Sequence, residues 1–389
     1  MTDTTPSRSL PFGRPMLDAA EEDAVLAVLR SGMLVHGKAT TDFEAAFAER
    51  CGAKHAVAVS SCTAGLHLTL FVRGIGPGDR VAVPAMTHVA TAHCVELLGA
   101  EPVFIDVDPA TGNMDPARLE QVDGPLAAII PVHYLGLPCD MDRLLSIAAA
   151  RNAFVLEDCA LSVDATHDGR KTGTIGLAGS FSFYPVKHMT SIEGGMLTTN
   201  DDDLAAQVRK RRAFGYNRAL GERTRPGLYD VDALGFNYRM SEVEAAVGLC
   251  QIGKLDGFQA ARKRNDAIIR NYLTGLENLH LFPVAHGKSE SSRYCLNIVL
   301  PKDGAIPRDH VVDRLKQAGI GTSIHYPGPV PLFTYYREKY GHADGTFPVA
   351  EWLAEQTISL PVGPHLSEDD ADYLGQTLRT IIAEAPVNT

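Results

Sequence analysis

Gly179-Ser-Phe-Ser-Phe-Tyr-Pro-Val-Lys187-His-Met-Thr-Ser-Ile-Glu-Gly-Gly-Met-Leu-Thr-Thr199 reads as two strands around one polar connection. The strand-like pieces are Ser180 to Tyr184 and Gly195 to Thr199, and Pro185 stops the first because proline cannot donate to a ladder. Lys187 therefore falls on a loop held by β-structure on both sides. Partial desolvation lowers the pKa of an amine so placed and leaves it able to attack a carbonyl, which makes Lys187 the candidate Schiff-base residue. A solvated surface lysine is the competing reading of the same local pattern.

Upstream, Phe154-Val155-Leu156-Glu157-Asp158 puts an acid at the end of an apolar run. Strands of a parallel α/β sheet are buried on both faces and read as continuous hydrophobic runs, with ligands beyond their carboxyl ends. Asp158 is thereby aimed at a ligand. An aspartate there can keep a pyridinium nitrogen protonated, which is what pyridoxal phosphate needs to act as an electron sink. A cap or turn carboxylate is the alternative.

Glu157-Asp158-Cys159-Ala160, the run Phe181 to Lys187 and Glu193-Gly194-Gly195 resemble the DegT-type sugar aminotransferases, a branch of the fold-type I pyridoxal phosphate enzymes. Further matches extend from Leu10-Pro11-Phe12-Gly13-Arg14-Pro15 to Leu360-Pro361, so the resemblance covers nearly the whole chain. It implies an α/β fold of the fold-type I aminotransferase kind. Residues 1–250 would form a large cofactor-binding domain with a mostly parallel, doubly wound sheet, and residues 251–389 a smaller C-terminal α+β domain. It further implies pyridoxal 5'-phosphate as cofactor with pyridoxamine 5'-phosphate as its intermediate form. The implied substrates of the ping-pong reaction are glutamate as amino donor and a nucleotide-linked ketosugar as acceptor. Lys187 and Asp158 are the implied catalytic pair.

Working back toward the N-terminus, His55 to Val59 reads as a buried strand. It is followed at once by Ser60-Ser61-Cys62-Thr63-Ala64-Gly65 and an apolar helix from Leu66 to Val72. Strand, small polar residues and helix start together offer free amides and a positive helix end to a phosphate, although an ordinary N-cap has the same look. By resemblance this turn holds the cofactor phosphate through Ser61, Cys62 and Thr63, with Ser182 as a further cofactor contact. His88 stands where the family commonly places an aromatic that stacks on the cofactor ring, and an imidazole offers a similar flat face.

Toward the C-terminus, a basic stretch from Lys210 to Gly227 reads either as a ligand-facing loop or as solvated surface. Ser241 and Glu244 form a capping-box pattern ahead of a long helix that runs past Leu255 toward Tyr272. Asn237 matches the family asparagine that reaches the cofactor phosphate of the neighbouring subunit, so the resemblance implies a homodimer with shared active sites. Tyr294 to Leu300 and Thr322 to His325 read as strands, and a last helix begins at Ser367. His325-Tyr326-Pro327 resembles the family's substrate-side motif. Tyr184, His188, Arg239, His325 and Tyr326 are the candidate substrate contacts.

The chain departs from the family at Leu161, where most relatives have Gln or His against the phenolic oxygen of the cofactor. Either Ser162 or a group elsewhere must make that contact.

Bulk properties set the outer bounds. The length of 389 residues suggests two or three domains. A formal charge of −11 carries no electrostatic footprint for nucleic acid, so no nucleic-acid partner is expected. Seven scattered cysteines with no zinc-like spacing suggest reduced thiols in a cytoplasmic protein with no metal site. Met1 to Arg8 is polar and no run reaches the ~20 apolar residues of a membrane span, so neither secretion nor membrane insertion is expected. Two rivals remain. A pyridoxamine-dependent sugar dehydratase of the same superfamily would replace the lysine with histidine, whereas Lys187 stands in the motif and His188 only follows it. A cofactor-binding regulator without turnover would not need both Asp158 and Lys187.

Overall fold

The computed structural model describes residues 8–217, 228–276, 279–302 and 305–385. Of the basic stretch from Lys210 to Gly227, residues 218–227 lie outside the described residues.

Seven strands form the central sheet: β1 (His55–Val59), β2 (Arg80–Pro84), β3 (Glu101–Ile105), β4 (Ala128–Ile129), β5 (Phe154–Asp158), β6 (Ala178–Ser182) and β7 (Gly195–Thr199). Their spatial order is β1-β7-β6-β5-β4-β2-β3. All neighbours pair in parallel except β7, which is antiparallel to both β1 and β6. The cause is the connection. A helix carries the chain back between β1 and β2, between β2 and β3 and between β4 and β5, but only the short loop bearing Lys187 joins β6 to β7. A short loop without a crossover can only return antiparallel.

Both sheet faces are buried. On β1, Val57 and Val59 join one apolar cluster with Leu66, Leu68 and Leu156, while Ala56 and Ala58 join another with Phe43, Phe47 and Phe181. This period-2 division explains why the strands read as continuous hydrophobic runs. The helix expected from Leu66 begins earlier, at Cys62. The Ser61 hydroxyl accepts the Ala64 amide at 3.1 Å, so the small residues expected as loop are already the first helical turn.

The helix Glu242–Leu273 starts with the expected Ser241–Glu244 capping box and runs through residue 250 unbroken. Beyond it, β8 (His280–Leu281), β9 (Leu296–Val299) and β10 (Thr357–Leu360) form a three-stranded antiparallel sheet. Leu296, Ile298, Ile358 and Leu360 pack there against Leu374 and Leu378 of the last helix, Glu368–Glu384. The strand expected at Thr322 to His325 does not form. Only a bridge between Ser323 and Ser359 marks it, because the segment carries one apolar side chain, Ile324, and Pro327 follows. Tyr336, Phe347 and Leu353 join the core of the large sheet, so the C-terminal half closes over the strand ends. No helix among the described residues is long and apolar enough to cross a membrane.

Candidate active site

Asp158, Lys187 and the start of the helix Cys62–Val72 meet at the carboxyl ends of β5, β6 and β1. Asp158 is 5% exposed. One carboxylate oxygen accepts the Thr91 hydroxyl at 2.8 Å, and the other accepts the Ala160 amide at 3.1 Å and the Cys62 thiol at 3.7 Å. These donors fix the carboxylate without a basic side chain. No local sequence signal marks Thr91, which lies in the first turn of the helix that His88 caps.

Lys187 keeps partial contact with solvent, as a cleft residue must. Burial of its amine is nevertheless the main cause that lowers its pKa, and nearby Cys62 and Asp158 pull weakly the other way. Its Nζ lies 5.1 Å from the centroid of the Tyr294 ring, a residue that no local sequence signal distinguishes. Arg262 donates to the carbonyls of Tyr294 at 2.7 Å and of Lys187 at 3.3 Å, tying the two segments together.

At the helix start, first-turn geometry leaves the amides of Cys62 and Thr63 without intrahelical acceptors. The sheet comes close to this turn. A Cβ on Gly195 would lie 2.3 Å from the Ser61 carbonyl carbon, and one on Gly65 would lie 2.3 Å from the Ser180 hydroxyl. Ser182 faces Gly195 across the β6–β7 ladder and so stands beside the same turn. Free amides, a positive helix end, flanking hydroxyls and a cradle open only to glycine fit a phosphate group. Gly195→Ala is expected to destabilise the protein by about 1–3 kcal/mol, the usual cost of overpacking, because backbone rather than a movable side chain stands in the way. The urea midpoint measures this, and an unchanged midpoint would contradict the tight approach.

His88 caps the helix Val89–Glu96, accepting the Ala90 amide, and is exposed at the mouth of the cleft with its ring edge-on to Tyr326 at 6.1 Å. Tyr326 and His325 reach the cleft from the C-terminal half, and Tyr184 is an exposed ring on the lysine loop. His188 points away from the opening. It is buried against Tyr294 and its Nε2 lies 3.2 Å from the Ser292 carbonyl. Asn237 is exposed and accepts from Arg239 Nε at 3.1 Å, while the carbonyl of the intervening Tyr238 accepts the Ser60 amide at 2.8 Å. The Asn237–Arg239 segment thus lies beside the phosphate-like turn of its own chain, on its outer side.

Leu161 is buried within the core cluster that also holds Cys62, Tyr134 and Tyr294. Ser162 does not take over from it. Its buried hydroxyl lies near the Cys159 thiol, which packs with Phe181 on the opposite side of the sheet.

His133, Glu157 and Cys159 bring three potential metal ligands together. Their hydrogen bonds argue for a structural knot. Glu157 accepts the amides of Gly173, Ile175 and Gly176 together with His133 Nε2, and His133 Nδ1 accepts the Cys139 amide. Burial alone would raise the Glu157 pKa, but the bond from His133 and these amides hold it below the usual value. His133 therefore has no lone pair to spare for a metal.

Known proteins share this architecture. The model of the DegT/DnrJ/EryC1/StrS aminotransferase family matches residues 15–379. The spore coat polysaccharide biosynthesis protein SpsC of Bacillus subtilis is 38% identical over 97% of this chain and 98% of its own length. Spr1654 of Streptococcus pneumoniae, described as a sugar aminotransferase and solved in PMP form, is 29% identical. It superposes with a TM-score of 0.90 over 97% of this chain and 100% of that one. The same protein is also known in PLP form. Helicobacter pylori PseC, an aminotransferase of pseudoaminic acid biosynthesis, is 25% identical with a TM-score of 0.89 over 97% of this chain and 100% of that one.

Proposed function

We propose that this chain, which belongs to the DegT/DnrJ/EryC1/StrS aminotransferase family, transfers an amino group from glutamate to the keto group of a nucleotide-linked sugar by a ping-pong reaction in the cytoplasm. Its cofactor is pyridoxal phosphate, which alternates with pyridoxamine phosphate. When bound, the cofactor supplies an electron sink and carries the amino group between the two half-reactions. The observation that carries this reading is a desolvated lysine amine in one cleft with a carboxylate whose hydrogen bonds, among the described residues, come from a hydroxyl, a backbone amide and a thiol.

The chain's own residues then take distinct parts. Lys187 would hold the cofactor covalently and, once released, its amine would serve as the base and acid that moves a proton. Burial lowers the pKa of its amine from the ordinary lysine value, which shifts the balance toward the neutral form that this work needs. Asp158 would keep the ring nitrogen protonated; among the described residues its hydrogen bonds come from Thr91, Ala160 and Cys62 and from no lysine or arginine. The amides of Cys62 and Thr63, with the Ser61 and Ser182 hydroxyls, hold the phosphate. His88, at the mouth of the cleft, would offer its flat face to the ring. Tyr184, Arg239, His325 and Tyr326 contact substrate. Incubating the purified holoprotein with glutamate tests the donor half: its absorbance should shift from the pyridoxal to the pyridoxamine form. A protein that shows no such shift with any amino donor would sink the reading.

The active unit in this proposal is a homodimer in which Asn237 completes the phosphate site of the neighbouring subunit. Exposed Leu34, Val35 and Phe214 support it, for they lie around Asn237: Glu242 N bonds the Leu34 carbonyl, and Arg239 reaches from Asn237 over the Phe214 ring at 5.0 Å. Exposed apolar side chains gathered round a polar group are the makings of a subunit contact. Mixing inactive Lys187→Ala subunits with inactive Asn237→Leu subunits is expected to restore activity in part, because one site of each mixed dimer keeps both residues. No recovery after proven subunit exchange would place Asn237 in the service of its own chain.

A further inference from the structure

His325 is held from behind. Its Nδ1 lies 2.9 Å from the Ser359 hydroxyl, its carbonyl accepts the Tyr134 hydroxyl, and its ring packs on Tyr294 and Phe12 at 5.5 Å and 5.6 Å. Ser359 is fully buried on β10, opposite Asn297 of β9. Two neighbours are open to its hydroxyl proton, His325 Nδ1 and the Cys295 sulfur. An imidazole nitrogen is much the better acceptor. Cys295 meanwhile gives its own proton to Asn297 Oδ1 at 3.4 Å. The assignment that gives the Ser359 proton its stronger acceptor has Ser359 donating to Nδ1, and so the ring proton sits on Nε2.

Among the described residues Nε2 has no hydrogen-bond partner. With Nδ1 turned to β10, the other nitrogen is left for the cleft shared with Lys187 and His88. Burial first, then the proximity of Lys187 and His88, lowers the His325 pKa to about 3, so the ring is neutral wherever an enzyme of this kind works.

We infer that His325 is a further catalytic residue, a neutral imidazole whose Nε2–H donates a hydrogen bond to the keto oxygen of the acceptor sugar, with Ser359 as the residue that positions it. The inference rests on the acceptor reading given above. As the carbonyl carbon gains a bond to the attacking amine nitrogen, the C=O π pair moves onto oxygen, and the proton that the nitrogen then sheds ends on that oxygen; until it arrives, a donor fixed beforehand stabilises the negative charge more than it stabilises the free ketone. Nε2 keeps its proton throughout, since neutral imidazole is far too weak an acid to release it. Neutral imidazole polarising a carbonyl is an established solution where an imidazolium cannot persist.

Two measurements test this. In full-length protein labelled with ¹⁵N-histidine, multiple-bond ¹H–¹⁵N spectra, assigned with His325→Asn, are expected to show the Nε2–H tautomer at neutral pH. Ser359→Ala is expected to lose that preference, and an Nδ1–H tautomer in the unaltered protein overturns the assignment. In single-turnover experiments His325→Leu is expected to slow transfer to the keto sugar by about 10²–10³-fold, the loss typical of one such donor, with a much smaller effect on the amino-donor half-reaction. His325→Asn, which keeps an N–H donor, should recover part of the loss. Equal slowing of both half-reactions overturns the role. A wild-type protein that aminates no keto sugar sinks the acceptor reading and the role of His325 with it, an outcome told apart from failure of His325 alone by the wild-type rate.

Discussion

Lys187→Ala is expected to abolish transamination while leaving the protein folded and able to bind its cofactor without a covalent bond. The proton transfers assigned to the amine are worth about 10²–10⁴-fold by themselves, and loss of the covalent link adds to that. The fold should survive because the side chain contributes an amine over the Tyr294 ring, whereas the loop is held by its backbone: the Lys187 amide donates to the Tyr184 carbonyl at 3.0 Å and its carbonyl accepts from Arg262. Borohydride reduction of the wild-type holoprotein followed by peptide mapping identifies the attached residue. Lys171 is the informative control, since its Nζ is engaged by Asp164 and the Arg50 carbonyl. Label on Lys171, or covalent attachment persisting in Lys187→Ala, would refute the assignment.

Asp158→Asn is the second large effect. The substitution preserves shape and an oxygen for the Ala160 amide. The new amide group would face the Thr91 hydroxyl, which can turn to accept, because it also pairs with Thr87 at 2.9 Å. Cofactor binding and stability should therefore change little. What disappears is the negative charge, and with it the means of keeping the ring nitrogen protonated. By analogy with the removal of one electrostatic partner from an active site, deprotonation should slow by about 10²–10³-fold. Single-turnover absorbance with an amino donor measures it. A rate near that of the wild type would remove Asp158 from the mechanism.

Much of this is legible in the sequence, and the reasons differ by element. Buried parallel strands are legible because both faces demand apolar residues, as Val57 and Ala58 show on opposite sides of β1. The capping box at Ser241 is legible because both of its bonds are local. Tyr294, Thr91 and Ser359 were not, since each matters through a neighbour distant in the chain and none leaves a periodic trace. The strand misread at Thr322 to His325 shows the same limit: β10 pairs with β9 because Ile358 and Leu360 reach the C-terminal core, a competition that short windows cannot judge. His188 illustrates the converse. Adjacency to Lys187 suggested a role at the opening, but successive residues of a loop can face opposite ways.

The reversed strand β7 also bears on how the molecule is made. β1 finds its sheet partner only when β7 arrives, for His55 pairs with Thr199 and Val59 with Gly195. A growing chain therefore exposes the inner edge of β1 until residue 199 has left the ribosome, and unpaired edges of this kind invite association with other chains. The Ser61 turn is completed by the same late event, since Gly195 is what closes against it. The order of synthesis thus sets the order of competence: a nascent chain ending before Gly195 has its helix start but lacks the wall behind it.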